Sequence, residues 1–367
     1  MKIAFVTSGL EPEADGVGDY TRRLASELER IGHTCRLIAL NEKGPGEYPR
    51  AEGVNILRMN ADMPWSSRVA MAEETLKEFN PDWTSLQFVC YGFDPKGFIR
   101  DRVEGLARLL SSRPAHMMFH EVWAGLKRGA AWKERLAGAI QRKSVLDLVR
   151  RIRPRLVTTT NAVYRAVLRK CGMEAEEYPL FGNVDVTTPI PLLQGGEARW
   201  RFGFFGTIQL EWSPEPLFSR IAEAARRCGR RPSMLWLGRP GRGERLWNKI
   251  SRDYTPEMSF LPVGPQPAAC ISALLNTLDV GISTMPLELI MKSGTAVAMF
   301  EHGLPVVVSR REPFRGIDVA EPEEPLICRL DATFTDRLAA GLPHGPRGSR
   351  LPEAAARMSR DLEALRT

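Results

Sequence analysis

The feature that most constrains this chain is an alternation repeated in both halves: a short, largely β-branched apolar run, a turn or loop, and then a helical pattern. In the first half, strands are expected at Lys2–Thr7, Cys35–Leu40, Val54–Leu57, Trp83–Val89, His116–Phe119 and Leu156–Thr160. Helices are expected at Val17–Ile31, Val69–Phe79, Phe98–Leu110 and Asn161–Cys171. The second half restarts with Arg201–Phe205 and continues through strands at Met234–Leu237, Met258–Leu261, Val280–Ile282, Leu304–Val308 and Leu326–Leu330. Its helices are expected at Pro216–Cys228, Arg242–Ile250, Ala268–Leu278 and from Ser293 to Gly303, with an amphipathic helix at Glu353–Leu365 closing the chain. Strands separated by helices pair in parallel, in sheets covered on both faces. The expected class is α/β, with one domain over 1–183, a linker rich in proline, threonine and glycine over 184–199, a second domain over 200–345 and a terminal segment over 346–367.

A length of 367 residues supplies two domain-sized cores, and 43% apolar with 26% charged residues suits globular domains without a bilayer-spanning run. The apolar run after Met1 is strand-length and soon interrupted, so no secretory signal is expected and the location is read as cytoplasmic. Six cysteines without a CxxC pair point to reduced core thiols rather than a zinc knuckle or a disulfide framework. A net charge of +7 suggests an anionic ligand, an anionic membrane surface or nucleic acid.

Strand, glycine loop, helix and strand at the amino terminus make a Rossmann-like opening, but the loop ending at Gly16-Val17-Gly18 is longer than a GxGxxG fingerprint, so no nicotinamide cofactor is expected. Ligands of such sheets gather outside the carboxyl ends of the strands, where Gly16-Val17-Gly18-Asp19, Gln87–Gly92 and His120-Glu121-Val122-Trp123 should meet. His120 ends an apolar run and reads either as a general base or donor to a substrate hydroxyl, or as a histidine bonded to a loop carbonyl. In the second half, Lys292-Ser293-Gly294-Thr295 opens a helix with a cation, hydroxyls and N–H groups, which is either a phosphate site or an ordinary N-cap. Residues 127–155 are strongly basic with an apolar face of Trp132, Leu136, Ile140, Leu148 and Val149. They read as a peripheral contact with an anionic membrane or acceptor, or as a solvated helix packed on the sheet. Few aromatics interleave the charges, so nucleic acid is not expected as a partner.

These motifs, in order, resemble glycosyltransferases of the B fold, in particular family 4. The resemblance rests on Gly16-Val17-Gly18-Asp19-Tyr20, Phe119-His120-Glu121, Thr158-Thr159-Thr160-Asn161, Phe204-Phe205-Gly206, Leu237-Gly238, Leu278–Ser283 and His302-Gly303-Leu304-Pro305-Val306-Val307. It implies two Rossmann-like domains facing a cleft, with a nucleoside-diphosphate sugar as donor bound by the second domain. A saccharide, glycolipid or small-molecule acceptor would be bound by the first, and the terminal helix would cross back to it. By resemblance, Gly206, Thr207, Gly238, Arg239, Glu288, Ser293, Gly294 and Thr295 hold the donor, and Gly16, Val17, Gly18 and Glu121 the acceptor. His120, Asp19 and Lys292 would serve the reaction, without cofactor or metal and with retention of configuration. No DxD-like pair lies near the proposed phosphate loop. Two positions depart from the pattern: Ala298 stands where a glutamate is usual, and Ile208–Trp212 lacks the usual basic pair. A relative that does not transfer sugar, whether an epimerase, a hydrolase or a silent binding subunit, is the alternative.

Overall fold

In the computed structural model, which describes residues 1–11, 16–42, 55–187, 199–239 and 241–366, the alternation is realised as two parallel sheets. The chain divides into two compact units, one of residues 1–179, 313–319 and 351–367 and the other of 180–312 and 320–350. The expected linker has only its ends among the described residues, and residues 12–15 of the first glycine loop and Val54 of the third expected strand also fall outside them.

Unit 1 holds a seven-stranded sheet in the order β3-β2-β1-β4-β5-β6-β7. Its strands are β1 (Lys2–Thr7), β2 (Thr34–Glu42), β3 (Asn55–Asn60), β4 (Trp83–Phe88), β5 (Ala115–Phe119), β6 (Leu156–Thr159) and β7 (Glu176–Glu177), the last too short and too acidic to read as a strand in sequence. Every residue of β4 and β5 is buried, the signature of a parallel sheet covered on both faces. Ile3, Phe5 and Val6 of β1 are wholly buried, and each contributes roughly 1.5–3 kcal/mol relative to exposure. The strand order reverses at β1, which pairs with β2 on one side and β4 on the other.

The helices follow their apolar spacing. Helix α1 (Gly16–Arg30) buries Tyr20, Leu24, Ala25 and Leu28 and stops before Gly32, whose φ of +96° admits the left-handed turn. Helices α2 (Trp65–Phe79), α3 (Cys90–Phe93) and α4 (Val103–Leu110) come next, and Phe98 precedes a 3-10 turn at Ile99–Arg102 instead of opening a helix. Helix α5 (Trp132–Ile152) packs through Gly138, Gln141, Ser144, Val145, Leu148 and Ile152. The single apolar face expected from Trp132 to Val149 is therefore split, because Trp132, Leu136 and Ile140 are exposed. Helix α6 (Ala162–Arg169) is capped by Asn161, whose side chain accepts the Tyr164 N–H at 2.9 Å.

Unit 2 repeats the design with six strands in the order β10-β9-β8-β11-β12-β13, reversing at β8. Its strands are β8 (Arg199–Phe205), β9 (Arg231–Leu237), β10 (Ser259–Gly264), β11 (Val280–Ser283), β12 (Val306–Val308) and β13 (Ile327–Arg329). The helices are α7 (Leu217–Cys228), α8 (Glu244–Tyr254), α9 (Ala268–Leu275), α10 (Gly294–Glu301) and α11 (Phe334–Ala340), the last not foreseen from sequence. One face of the core is aromatic: Phe204 meets Trp212 and Trp247 edge-on, and the buried indole N–H groups of Trp212 and Trp236 donate to Ser309 Oγ and to the Gly206 carbonyl.

The last helix, α12 (Leu351–Ala364), belongs to unit 1, where Tyr178 Oη donates to Asp361 at 2.7 Å and Ser359 Oγ lies 2.9 Å from His33 Nε2. Of the six cysteines, Cys35, Cys90 and Cys328 are buried, but Cys270 is exposed and is not a core thiol.

Candidate functional site

The carboxyl edge of the unit 2 sheet brings together glycines from three strand ends. Gly206, directly after β8, has φ +81° and donates to the Leu237 carbonyl at 2.9 Å, while Gly238, after β9, has φ +97° and donates to Gly264 at 3.0 Å. A side chain on Gly206 would sit 2.9 Å from Thr295 Cγ2, so the loop after β8 runs against the first turn of α10. Thr207 lies beside Gly241, and Asn183 beside Gly294.

Ser293 is the N-cap of α10: its Oγ accepts the Ala296 N–H at 3.3 Å and lies 3.1 Å from Thr295 Oγ1. The N-cap reading is thus realised. It is compatible with anion binding, because the first-turn N–H groups of Gly294 and Thr295 have no acceptor within the helix. Lys292 ends the 3-10 turn Leu287–Lys292 immediately before the cap and is half-buried. Gly206, Thr207, Gly238, Ser293, Gly294 and Thr295 are therefore gathered, with Lys292 adjacent in the chain and Arg239 exposed beyond Gly238. Glu288 is turned elsewhere, accepting from the Glu312 N–H at 2.9 Å and from Arg311 Nε at 3.2 Å.

The carboxyl edge of the unit 1 sheet is built from side chains. Gly18 is required by close approach: a Cβ there would meet the Gly9 carbonyl oxygen at 2.9 Å and Leu10 Cα at 3.0 Å. Gly16 faces open space, and Val17 supplies the carbonyl that Thr21 Oγ1 donates to at 2.7 Å. Asp19 forms an ion pair with Arg22 one turn along α1. Tyr20, its phenol held neutral by burial, meets the His120 ring edge-on with centroids 4.8 Å apart. Glu121 is half-buried beside His120; burial first, and then this carboxylate, push the Cys90 thiol up to about 12.

Through Nε2, His120 meets a side-chain amide on β4: Nε2 lies 2.9 Å from Gln87 Oε1. The Gln87 amide donates through Nε2 to Ser85 Oγ at 2.8 Å, so its oxygen accepts and His120 Nε2 carries the proton. Ser85 Oγ is 2.8 Å from His116 Nδ1, His116 Nε2 is 2.8 Å from Thr158 Oγ1, and Thr158 donates to Met118 Sδ. With that last bond in place, the donors run one way from His120 through Gln87, Ser85 and His116 to Thr158. Burial keeps His116 neutral, down at about 3. With the proton on Nε2, Nδ1 is the accepting nitrogen of the His120 ring.

Gln87, Ser85, His116 and Thr158 were not singled out as a network in sequence. The one available signal was polar residues inside strands that otherwise read as core, since all four are buried. Asn183 left no signal at all.

No protein-family model matches the sequence, and no curated protein matches it. Solved structures do match in fold. A lipopolysaccharide outer core galactosyltransferase, WaaB, in its apo form, aligns with a TM-score of 0.53 at 12% identity, over 97% of this chain and 95% of its own. Anabaena HepE in complex with UDP and glucose aligns with a TM-score of 0.55 at 14% identity, over 100% of this chain and 93% of its own. The UDP-GlcNAc 2-epimerase of Methanocaldococcus jannaschii aligns with a TM-score of 0.54 at 10% identity, over 99% and 100%. At these identities the likeness is one of architecture, and it is consistent: this chain has the GT-B fold of two Rossmann-like units, shared by glycosyltransferases and sugar-nucleotide epimerases.

Proposed function

We propose that the chain is a glycosyltransferase that moves a sugar from a nucleoside-diphosphate sugar to a saccharide, glycolipid or small-molecule acceptor. The observation that carries this reading is the edge formed by Gly206, Gly238 and the capped first turn of α10, with Lys292 directly before it. Bare backbone allows phosphate oxygens to approach closely, and a lysine with unpaired first-turn N–H groups stabilises charge that grows on a departing diphosphate. In this reading Lys292, Ser293, Gly294 and Thr295 bind the diphosphate, Gly206 and Thr207 approach the donor phosphates, Gly238 and Arg239 meet the nucleotide, and no metal is needed for the leaving group.

His120, oriented by the bond between its Nε2–H and Gln87, serves as general base or hydrogen-bond partner for a substrate hydroxyl. Gly16, Val17, Gly18 and Glu121 border the acceptor on unit 1. Asp19, paired with Arg22, faces the reacting sugar or its acceptor with His120, and Glu288 supports the donor loop indirectly through its bond from the Glu312 N–H. Retention of configuration is carried over from the sequence resemblance to family 4 alone. A sugar-nucleotide epimerase is the second reading, favoured by Ala298 in place of the usual glutamate and by the epimerase among the structural neighbours.

The test is a thermal-shift and product-release panel of nucleoside diphosphates and their sugars, with and without a chelator, on wild type and Lys292→Ala. Ligand at about 100-fold over its dissociation constant adds roughly 2.7 kcal/mol of stability. A shift with one nucleotide that survives the chelator and shrinks in Lys292→Ala supports the site. Sugar transferred to an acceptor supports the transferase, whereas epimerised sugar nucleotide without transfer supports the second reading. No shift with any nucleotide removes both.

A further inference from the structure

The apolar residues that α5 leaves uncovered form one face. Trp132, Leu136 and Ile140 recur every four residues and are 69%, 55% and 46% exposed. Trp132 is the only exposed one of the eight tryptophans. Lys133, Arg135, Arg142 and Lys143 are exposed around the same stretch, with Lys133 Nζ 5.6 Å from the Trp132 ring centroid. The acidic residues of the helix are committed elsewhere: Glu134 accepts the Gly125 N–H at 3.3 Å, and Asp147 pairs with Arg151 at 3.1 Å. Arg135 reaches back to the Arg128 carbonyl at 3.4 Å, which brings a further exposed cation to the start of the helix.

From this juxtaposition we infer that the outer face of α5, over Trp132–Lys143, docks on an anionic phospholipid surface. The inference is independent of the sugar-transfer reading. A single convex helix face fits a planar interface rather than a groove-binding peptide. Its apolar residues enter the acyl boundary while the ring of lysine and arginine meets headgroup phosphates. Trp132 supplies the amphipathic indole that favours the headgroup depth. A second copy of the chain is a poorer occupant, since it would set the same four cations against one another. Nucleic acid would satisfy the charges but leave Leu136 and Ile140 without a partner.

The experiment is co-sedimentation of the full chain with vesicles of phosphatidylglycerol and phosphatidylcholine, against phosphatidylcholine alone, at low and high salt. Binding to the mixed vesicles only, falling with salt, is expected. Trp132→Ser with Leu136→Ser, and separately Arg142→Glu with Lys143→Glu, should each reduce the partition coefficient about tenfold or more. Both pairs of positions are exposed, so thermal stability should not change. Trp132→Phe should keep binding yet lose quenching of tryptophan fluorescence by brominated lipid, which places this helix in the interface. Equal binding to neutral vesicles, undiminished binding by both double variants, or quenching retained in Trp132→Phe would overturn the inference. So would wild type that ignores anionic vesicles, or self-association abolished by the serine variant. Nucleotide binding by the same variants reports separately on the donor site and should be unaffected.

Discussion

The carboxyl edges of the two sheets are polar by different means. In unit 2 the edge is chiefly backbone: glycines at positive φ and the first turn of a short capped helix. In unit 1 it is a hydrogen-bonded row of side chains that starts at His120 and runs into the sheet through Gln87, Ser85, His116 and Thr158. A backbone edge presents fixed donors to an anion at no cost in side-chain ordering. A side-chain row sets which nitrogen of a histidine carries a proton, and that requires every link to be satisfied. The first device suits charge and the second suits proton placement.

The largest expected effect tests the backbone edge. Gly206→Ala places a Cβ at a φ of +81° and 2.9 Å from Thr295 Cγ2. The left-handed conformation alone costs an L-residue ~1–2 kcal/mol. Nucleotide affinity by calorimetry should fall about a hundredfold, the equivalent of ~2.7 kcal/mol. Wild-type affinity in this variant would show that the edge is not the donor site.

The side-chain row should reveal itself through pH. His116 sits at about 3 against an ordinary 6.5, so below 6.5 the unfolded chain takes up a proton that the folded chain refuses. Stability is full above 6.5 and declines as pH falls toward 3, by at most ~1.4 kcal/mol per pH unit from this group. Burial also lowers His302, which adds to the decline with the same sign. Urea unfolding of wild type and His116→Gln near neutrality and at about pH 4.5 isolates the His116 share, and the variant should show the shallower loss. Parallel curves would mean that His116 is not held neutral.

Gln87→Leu addresses the end of the row nearest the solvent. With its acceptor removed, His120 should lose its preference for the Nε2–H tautomer, visible in its ring nitrogen resonances. If His120 serves the reaction, turnover should drop about tenfold, or ~1.4 kcal/mol, with little change in KM. A fall in melting temperature alone, with the tautomer unchanged, would reduce Gln87 to packing.

The smallest effect concerns Asp19. As one half of an i,i+3 pair with Arg22, it should cost only ~0.2–0.5 kcal/mol of stability when changed to Asn, as should Arg22→Ala. If Asp19→Asn lowers activity far more than Arg22→Ala does, the carboxylate works on substrate and the pair merely holds it.

Much of the backbone edge was legible in advance, because a glycine followed by a helix pattern is a local statement about φ and capping. Gly206, Gly238 and the Ser293 cap could be read from neighbours within a few residues. Glu288 could not, since its partners Arg311 and Glu312 lie 23 and 24 residues away and nothing in Leu287–Lys292 points to them. His120 was visible as a strand-end histidine and Gln87 as the start of a segment at the same edge, but nothing in the sequence paired the two, which lie 33 residues apart.

What the sequence by itself determined is the α/β alternation in both halves, most strand and helix positions, and where the chain turns back. These follow from hydrophobic periodicity and glycine conformation, which act over a few residues. Only the tertiary structure decided the pairing of Ser85 with His116, 31 residues apart, and of His116 with Thr158, 42 apart. It likewise decided that α5 packs through Gln141, Ser144 and Leu148 and turns Trp132, Leu136 and Ile140 outward. Parallel strands join through long crossovers, so their register and the side of a helix that meets the sheet depend on how whole elements pack.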